Sequence, residues 1–192
     1  MRQLIKVIAA VMLVLALVVP LVVQARDIPA PTPPADGELA VVLDVTDGDT
    51  IRVDRGDGGN ERLRYIGIDT PETVKPDSPV EPWGPEAAAA NKKLVADQVV
   101  LLERDVSDTD RYDRLLRYVW VEGPDGWLLV NAELVAQGLA EVRSYEPDTK
   151  HDRYLRGVED AAREAGAGMH GSETPAGDDD NVIDQILDFL FG

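Results

Sequence analysis

Three short stretches of the sequence concentrate carboxylates and arginines in a way that suits phosphate chemistry. They are Asp47-Gly48-Asp49-Thr50, the run from Arg64 to Glu72, and Asp110-Arg111-Tyr112-Asp113-Arg114. Cleavage of a phosphodiester needs a cation near a non-bridging oxygen, a group that handles water, and positive charge for the transition state. Asp-Gly turns and Asp-Arg ion pairs are common, so each stretch alone means little. Together they contain the complete set of groups.

The residue types divide these tasks among five positions. Asp49 and Asp69, if brought together, would form a site for a hard cation and would repel each other without one. Arg64 and Arg114 can each hold a phosphate through two parallel hydrogen bonds, with a charge that does not depend on pH. Glu72 is a further carboxylate that can orient or deprotonate water. We therefore predict that these five residues meet in one site.

The composition limits the kind of metal and the way a polyanion would bind. The chain has no cysteine and two histidines, so thiolate and all-histidine metal sites are excluded and oxygen ligands are favoured. His151 and His170 lie outside the three stretches, and we expect them at the surface without a role as general base. The formal charge of −17 is unfavourable for long-range attraction of nucleic acid. Substrate capture would then depend on a local cluster of arginines and on bound cations.

The N-terminal residues have the pattern of an export signal. A basic start is followed by an apolar run from Val7 to Val23 and by a Val-x-Ala site ending at Ala25. We predict a signal peptide over residues 1–25, with an uncleaved N-terminal membrane anchor as the alternative. Either form would carry the protein out of the cytoplasm, to be secreted or held in the cell envelope. Residues 26–37 are rich in proline and are predicted to be a linker.

Residues 38–171 are predicted to form one domain of short strands and interleaved helices. The patterns indicate an α+β fold, a five-stranded OB-type β-barrel with three α-helices. The predicted strands are Leu39–Val45, Thr50–Val53, Arg62–Ile68, Val99–Val106 and Leu116–Val121, and the predicted helices are Pro85–Ala96, Leu128–Gln137 and Asp152–Ala165.

The C-terminal residues 172–192 are predicted to be an acidic linker followed by an amphipathic helix. After an Asp/Asn cap, apolar side chains repeat with helical spacing and would form one stripe, consisting of Val182, Ile183, Ile186, Leu187, Leu190 and Phe191. Such a helix would either dock on its own domain or mediate self-association.

The spacing of Arg64 and Asp69 requires a break in the strand that carries them. Side chains alternate between the two faces of an extended strand, so residues five apart point in opposite directions. The two can share a site only if the strand bends between them, and Gly67 can allow that. We predict an irregularity at residues 67–69.

The order and spacing of several motifs resemble the staphylococcal nuclease (thermonuclease) family. The matching pieces run from residue 38 to residue 171. They are the Asp-Gly-Asp-Thr turn, Arg64 with Asp69-Thr70-Pro71-Glu72, Trp83-Gly-Pro-Glu-Ala, Asp110-x-Tyr112-x-Arg114, Val130-Asn131 and Gln137-Gly-Leu-Ala. The resemblance implies a calcium-dependent nuclease that hydrolyses DNA, RNA or both.

The resemblance also implies a role for each matching residue. Asp49 and Asp69 would bind Ca²⁺ through their side chains and Thr70 through its backbone carbonyl, with Asp47 supporting them. Glu72 would act on the attacking water, and Arg64 and Arg114 would hold the scissile phosphate. The nucleotide would be contacted by three more residues, Arg111, Tyr112 and Tyr145.

Two departures from the family pattern leave a second function open. Asp113 stands where the family usually has glycine, and it places a negative charge beside Arg114. A pair of tyrosines common in the family is reduced here to Tyr145. The alternative is a noncatalytic OB-fold module of the cell envelope that binds nucleic acid, and a third reading is an acidic calcium-binding envelope protein.

Overall fold

The computed structural model describes residues 29–73, 80–124 and 126–171, and its centre is a closed barrel. The chain forms eight strands in this part, β1 (Glu38–Val45), β2 (Thr50–Asp54), β3 (Glu61–Tyr65), β4 (Ile68–Asp69), β5 (Val99–Glu103), β6 (Leu115–Gly123), β7 (Gly126–Leu129) and β8 (Glu141–Val142). The sheet order is β3-β2-β1-β5-β6-β7, and β3 also pairs with β6. That last pairing is parallel and closes a barrel of five strands, β1, β2, β3, β5 and β6.

The barrel forms because alternate residues of its strands are apolar and point inward. Ile51, Val53 and Leu63 are fully buried within it, as are residues of β5 and β6 such as Val100 and Val119. A Gly-rich loop of residues 55–60 joins β2 to β3. The α+β fold, an OB-type barrel with helices, is therefore confirmed.

Three helices pack outside the barrel, α1 (Gly84–Val95), α2 (Val130–Ala136) and α3 (Asp152–Ala165). Proline in the first turn of α1 suits a helix start, because its missing N–H has no partner there. A left-handed Gly166 ends α3. A short 3₁₀ turn follows at Gly168–His170.

The prediction of a helix from Leu128 was wrong at its first turn. Residues 126–129 are a strand that pairs with β6, with Trp127 opposite Glu122, and the helix begins only at Val130. The run Leu128-Leu129-Val130 is apolar throughout, so its periodicity does not separate a strand from a helix. β5 also ends at Glu103, three residues before the predicted end at Val106.

A buried carboxylate, Glu103, connects β5 to β6 and to the start of α3. Its oxygens accept hydrogen bonds from Trp120 Nε1 at 2.7 Å and contact His151 Nε2 at 2.9 Å and Lys150 Nζ at 2.6 Å. Burial by itself would raise the pKa of Glu103, but the hydrogen bonds from His151, Lys150 and Trp120 outweigh it and lower the pKa to about 2. His151 is thus buried, and the expectation of a surface histidine was wrong.

We predict that Glu103→Gln lowers the free energy of unfolding by about 3–5 kcal/mol. The substitution removes the negative charge of a buried network and leaves its partners Lys150 and His151 without it. Because the folded pKa lies below its ordinary value of 4.5, the carboxylate contributes stability above that value. This stability is lost as the pH falls from about 4.5 toward about 2. Urea unfolding measured across this range should show a steep loss for the wild type and a flatter curve for the variant.

Glu122→Gln is the matched control, since Glu122 is an exposed carboxylate on β6. Its effect should stay within about 0.5 kcal/mol. Equal stability of Glu103→Gln and Glu122→Gln would contradict the structural role of Glu103.

The segments predicted as signal peptide or anchor (1–25) and as acidic linker with amphipathic helix (172–192) lie outside the described residues. Among the residues that the structure describes, no helix is long and apolar enough to span a membrane. These segment predictions, and the boundaries of the predicted domain, stay predictions.

Candidate nuclease site

One cavity of about 600 Å³ opens at the end of the barrel where β3 leaves the sheet. It is lined by all ten residues that the sequence singled out, namely Asp47, Asp49, Arg64, Asp69, Thr70, Glu72, Arg111, Tyr112, Arg114 and Tyr145. Segments that are far apart in sequence therefore meet in one place.

The break in the third strand brings Arg64 and Asp69 together. β3 ends at Tyr65, a turn follows, and Gly67 has a left-handed φ of 79° before β4 begins. A Cβ atom at Gly67 would lie 2.8 Å from a terminal methyl group of Leu155, so a larger residue would also have to displace that side chain. The amide of Asn131, on α2, holds the turn by donating to the Ile66 carbonyl at 2.9 Å. The predicted irregularity is confirmed.

The Arg64 guanidinium bridges two carboxylates. Its Nη2 lies 2.9 Å from Asp49 Oδ2 and 2.7 Å from Asp69 Oδ1. Its Nη1 donates to the carbonyls of Tyr65 and Ile68, at 2.8 Å each. Four contacts to fixed partners hold the guanidinium in one orientation at the wall of the cavity.

Asp49 is the most buried carboxylate of the cavity, with 5% of the residue exposed. Its side chain accepts hydrogen bonds from the Thr70 backbone N–H at 3.0 Å and from the Thr50 hydroxyl at 3.1 Å. Burial is the largest influence and, with Asp47 and Asp69 nearby, raises the pKa of Asp49 to about 7 even though Arg64 lowers it. Burial therefore disfavours the charged form of Asp49, in spite of its contact with Arg64.

Asp47 holds the turn that carries Asp49. Its Oδ1 accepts the Asp49 backbone N–H at 3.1 Å. Its own carbonyl accepts a hydrogen bond from the side chain of Asn91 on α1, at 2.9 Å. Asn91 is fully buried and also accepts the Tyr65 hydroxyl at 2.8 Å. Helix α1 thereby holds the turn that carries Asp47 and Asp49 against the barrel.

Glu72 lies in the loop after β4. Its backbone N–H donates to a carboxylate oxygen of Glu81 at 3.0 Å, and its carbonyl accepts the Glu81 N–H at 2.9 Å. These contacts position the backbone of Glu72 at the cavity. Arg114 also lines the cavity.

Asp110 orients Arg114. Its carboxylate accepts hydrogen bonds from Arg114 Nε at 2.7 Å and from the Arg114 backbone N–H at 3.0 Å, and it contacts Arg114 Nη2 at 2.7 Å. Burial alone would raise the pKa of Asp110, but the hydrogen bonds from Arg114 and Tyr112 outweigh it and lower the pKa. Asp110 thus stays charged and holds the guanidinium. It was not among the predicted site residues, although its spacing of four from Arg114 was a usable signal.

Two tyrosines stand exposed at the cavity. Tyr112 is 54% exposed, with the guanidinium carbons of Arg111 and Arg114 at 4.8 and 5.6 Å from its ring centroid. Tyr145 is 70% exposed. Its loop is tied by Asp148, whose carboxylate accepts the Val106 and Ser107 N–H groups. No motif pointed to Asp148.

Asp113 adopts a left-handed φ of 56° and is exposed, as expected for a residue that replaces glycine. Asparagine and aspartate tolerate this conformation better than other side chains do. Its backbone N–H donates to the Asp110 carbonyl at 3.2 Å. Asp113 thus adopts a conformation that glycine favours, and its charge stays beside Arg114.

The donors around Asp49 fit a hard cation. Asp49, Asp69 and the Thr70 carbonyl offer only oxygen, and a cation would favour the charged form of Asp49, whose pKa burial raises. In the described ranges, no three histidine, cysteine, aspartate or glutamate side chains come close enough to form a metal site by themselves. Protein side chains would thus supply only part of the coordination sphere, as in weak calcium sites.

Comparison with known proteins gives consistent matches. The family model described as "Staphylococcal nuclease homologue" matches residues 62–171. The chain is 45% identical over 129 residues to the thermonuclease of Staphylococcus intermedius, covering 67% of this chain and 72% of that protein. It is 44% identical over 131 residues to the thermonuclease of Staphylococcus hyicus, covering 68% and 73%. It is also 44% identical over 126 residues to endonuclease YncB of Bacillus subtilis (strain 168), covering 64% and 57%.

Proposed function

The chain belongs to the staphylococcal nuclease family, and from this premise we propose that it is a calcium-dependent nuclease that hydrolyses phosphodiester bonds in DNA, RNA or both. The observation that carries the proposal is the convergence of Asp49, Asp69, Arg64, Arg114 and Glu72 on one cavity. A module that only bound nucleic acid would need the arginines. It would not need the buried carboxylate of Asp49, whose pKa is raised by burial.

Calcium would be held by Asp49, Asp69 and the Thr70 carbonyl, and when bound it would polarise a phosphate oxygen and relieve the repulsion between the carboxylates. Since Ca²⁺ takes about 6–8 oxygen ligands, water and substrate would complete its sphere. The affinity would then be modest, about 10⁻⁴–10⁻³ M, as in extracellular calcium modules. That range of affinity suits an exported protein. The apolar run Val7–Val23 supports the proposal that the protein is exported.

The side chains of the cavity would carry out hydrolysis as follows. Glu72 accepts a proton from a water molecule as the water oxygen bonds to phosphorus. The phosphorus–oxygen bond to the leaving nucleoside breaks on the opposite side, and the leaving oxygen takes up a proton from solvent water. Arg64 and Arg114 donate hydrogen bonds to the phosphate oxygens, whose negative charge grows in the transition state. Asp110 keeps Arg114 oriented, and Asp47 keeps the turn of Asp49 in place. Tyr112, Arg111 and Tyr145 would contact the nucleotides.

A plasmid-nicking assay tests the proposal against the noncatalytic alternative. We expect the full chain to nick plasmid DNA in calcium, to stop when the calcium is chelated, and to resume when calcium is restored. Binding of DNA without nicking would support the OB-fold binding module instead. Calcium binding without any interaction with polynucleotide would support the acidic calcium-binding protein.

A further inference from the structure

Two arginines face each other on the outer surface of the barrel, beside the nuclease cavity. β2 and β3 are antiparallel, and their register places Arg52 directly opposite Arg62. Like charges at directly opposed positions destabilise a sheet. In a chain with 36 acidic and 19 basic residues, such a pair is not explained by composition.

Neither arginine is neutralised by a carboxylate. Within residues 29–73, 80–124 and 126–171, Arg52 and Arg62 form no salt bridge. Asp44 is the β1 partner of Arg52 in the sheet register, yet no ion pair forms between them. Asp54, two residues beyond Arg52, has a carboxylate oxygen occupied by the N–H groups of the β2–β3 loop.

The two guanidinium groups are nevertheless held in place. Arg52 Nε donates to Asn60 Oδ1 at 2.7 Å, and Arg62 Nη2 donates to the Tyr112 carbonyl at 2.7 Å. Both partners are uncharged, so each arginine keeps its full charge and has further N–H donors. Ordered arginines with unused donors are suited to bidentate contacts with phosphate.

The two arginines lie next to the residues that are proposed to bind phosphate. Arg62 and Arg64 are two apart on β3, so they point to the same face and lie about 6.6–6.8 Å apart along the strand. Arg64 lines the cavity, and so does Tyr112. Arg62 donates a hydrogen bond to the backbone carbonyl of Tyr112. Arg52 is the next positive group across the sheet.

We infer that Arg62 and Arg52, which we call the arginine track, bind phosphates of the polynucleotide. These phosphates lie next to the phosphate at which the strand is cleaved. The inference rests on the proposed function and extends it to substrates longer than a dinucleotide. An acidic chain needs such local positive charge, because its overall field repels a polyanion. The unfavourable pairing of Arg52 with Arg62 would be relieved when phosphates lie against it.

The test compares wild type, Arg52→Gln, Arg62→Gln and the double variant on a labelled, single-stranded DNA and on a dinucleotide. Arg153→Gln is the matched control, since Arg153 is an exposed arginine of α3 outside the cavity lining. Fluorescence anisotropy gives Kd for the long strand in calcium, with Glu72→Gln added to every protein so that the strand stays intact. Cleavage kinetics without that change give kcat and KM for both substrates. Each measurement is repeated over a series of salt concentrations, after melting curves have shown that every variant is folded.

We expect each track variant to raise Kd and KM for the long strand about three- to tenfold, with a much smaller change for the dinucleotide. Each lost phosphate contact should also reduce the slope of log Kd against log salt by about 0.7 for a single strand. Arg62→Lys should restore much of the affinity, because it keeps the charge. Arg153→Gln should behave like the wild type.

Unchanged Kd and unchanged salt slope in the double variant would overturn the arginine track. Equal losses on both substrates would also overturn it, because that result would mean that Arg62 only braces the Tyr112 loop. Arg52 donates its hydrogen bond to Asn60 and not to that loop, so it separates the two explanations. A wild type that binds the strand but never cleaves it would reject the proposed nuclease while leaving the binding comparison decisive for the track.

Discussion

Replacing Glu72 by glutamine is expected to lower kcat by about 10²–10⁴-fold while KM for the polynucleotide changes little. Glutamine has the same shape but cannot accept the proton of the attacking water, and general base catalysis contributes about this factor. The backbone contacts between Glu72 and Glu81 are available to the glutamine variant as well.

Single-turnover cleavage of a labelled strand in saturating calcium measures this effect without interference from product release. Glu122→Gln is again a suitable control, because it removes an exposed carboxylate of β6 away from the cavity. A Glu72→Gln variant that cleaves at the wild-type rate would remove Glu72 from the mechanism.

Removing Arg114 is expected to have the second largest effect, a loss of about 10²–10³-fold in kcat for Arg114→Ala. A preorganised donor to a developing oxyanion contributes about this much. Asp110 would remain and would place an unpaired negative charge at the phosphate, which adds to the loss. Arg114→Lys should recover only part of the rate, because an ammonium group cannot form the two parallel hydrogen bonds of a guanidinium.

The comparison of kcat with KM distinguishes this role from simple attraction of substrate. A residue that acts in the transition state lowers kcat, whereas one that only attracts the strand raises KM. Asp110→Asn provides a second variant, since it keeps Arg114 but loosens its orientation, and it should lower kcat less than Arg114→Ala does. A change in KM alone for Arg114→Ala would assign it to substrate capture.

The barrel could be predicted because its strands alternate apolar and polar side chains and are separated by Gly-rich turns. The strand β7 was missed because Leu128, Leu129 and Val130 form a continuous apolar run, and only pairing with β6 decides that Trp127 and Leu128 are extended. The strands β4 and β8 contain two residues each, too few for any periodic pattern. In these places tertiary pairing, and not local sequence, determines the structure.

The types of residue in the site could be predicted, but several of their contacts could not. Spacing alone required a bend near Gly67, yet it did not show that Arg64 would bridge Asp49 and Asp69. His151 was expected at the surface because it lies outside the three stretches. Its partner Glu103 lies 48 residues away in sequence. Such distant polar pairs leave no local pattern.

The arginine track has the same origin in tertiary structure. Arg52 and Arg62 stand ten positions apart in sequence and belong to no motif. The β2–β3 register places them opposite each other, and the hydrogen bond from Arg62 to the Tyr112 carbonyl connects them with the cavity. A basic patch can therefore exist in a chain whose net charge of −17 suggests none.

The most direct test of a calcium-dependent hydrolytic site in this cavity measures binding and cleavage of the same labelled strand, as DNA and as RNA. Wild type and Glu72→Gln are compared first in chelator and then in excess calcium. We predict that the wild type cleaves at least one of the two strands after calcium is added and neither before, and that Glu72→Gln binds in calcium but leaves the strand intact. Cleavage by the wild type in chelator, or equal cleavage by both proteins in calcium, would contradict this assignment.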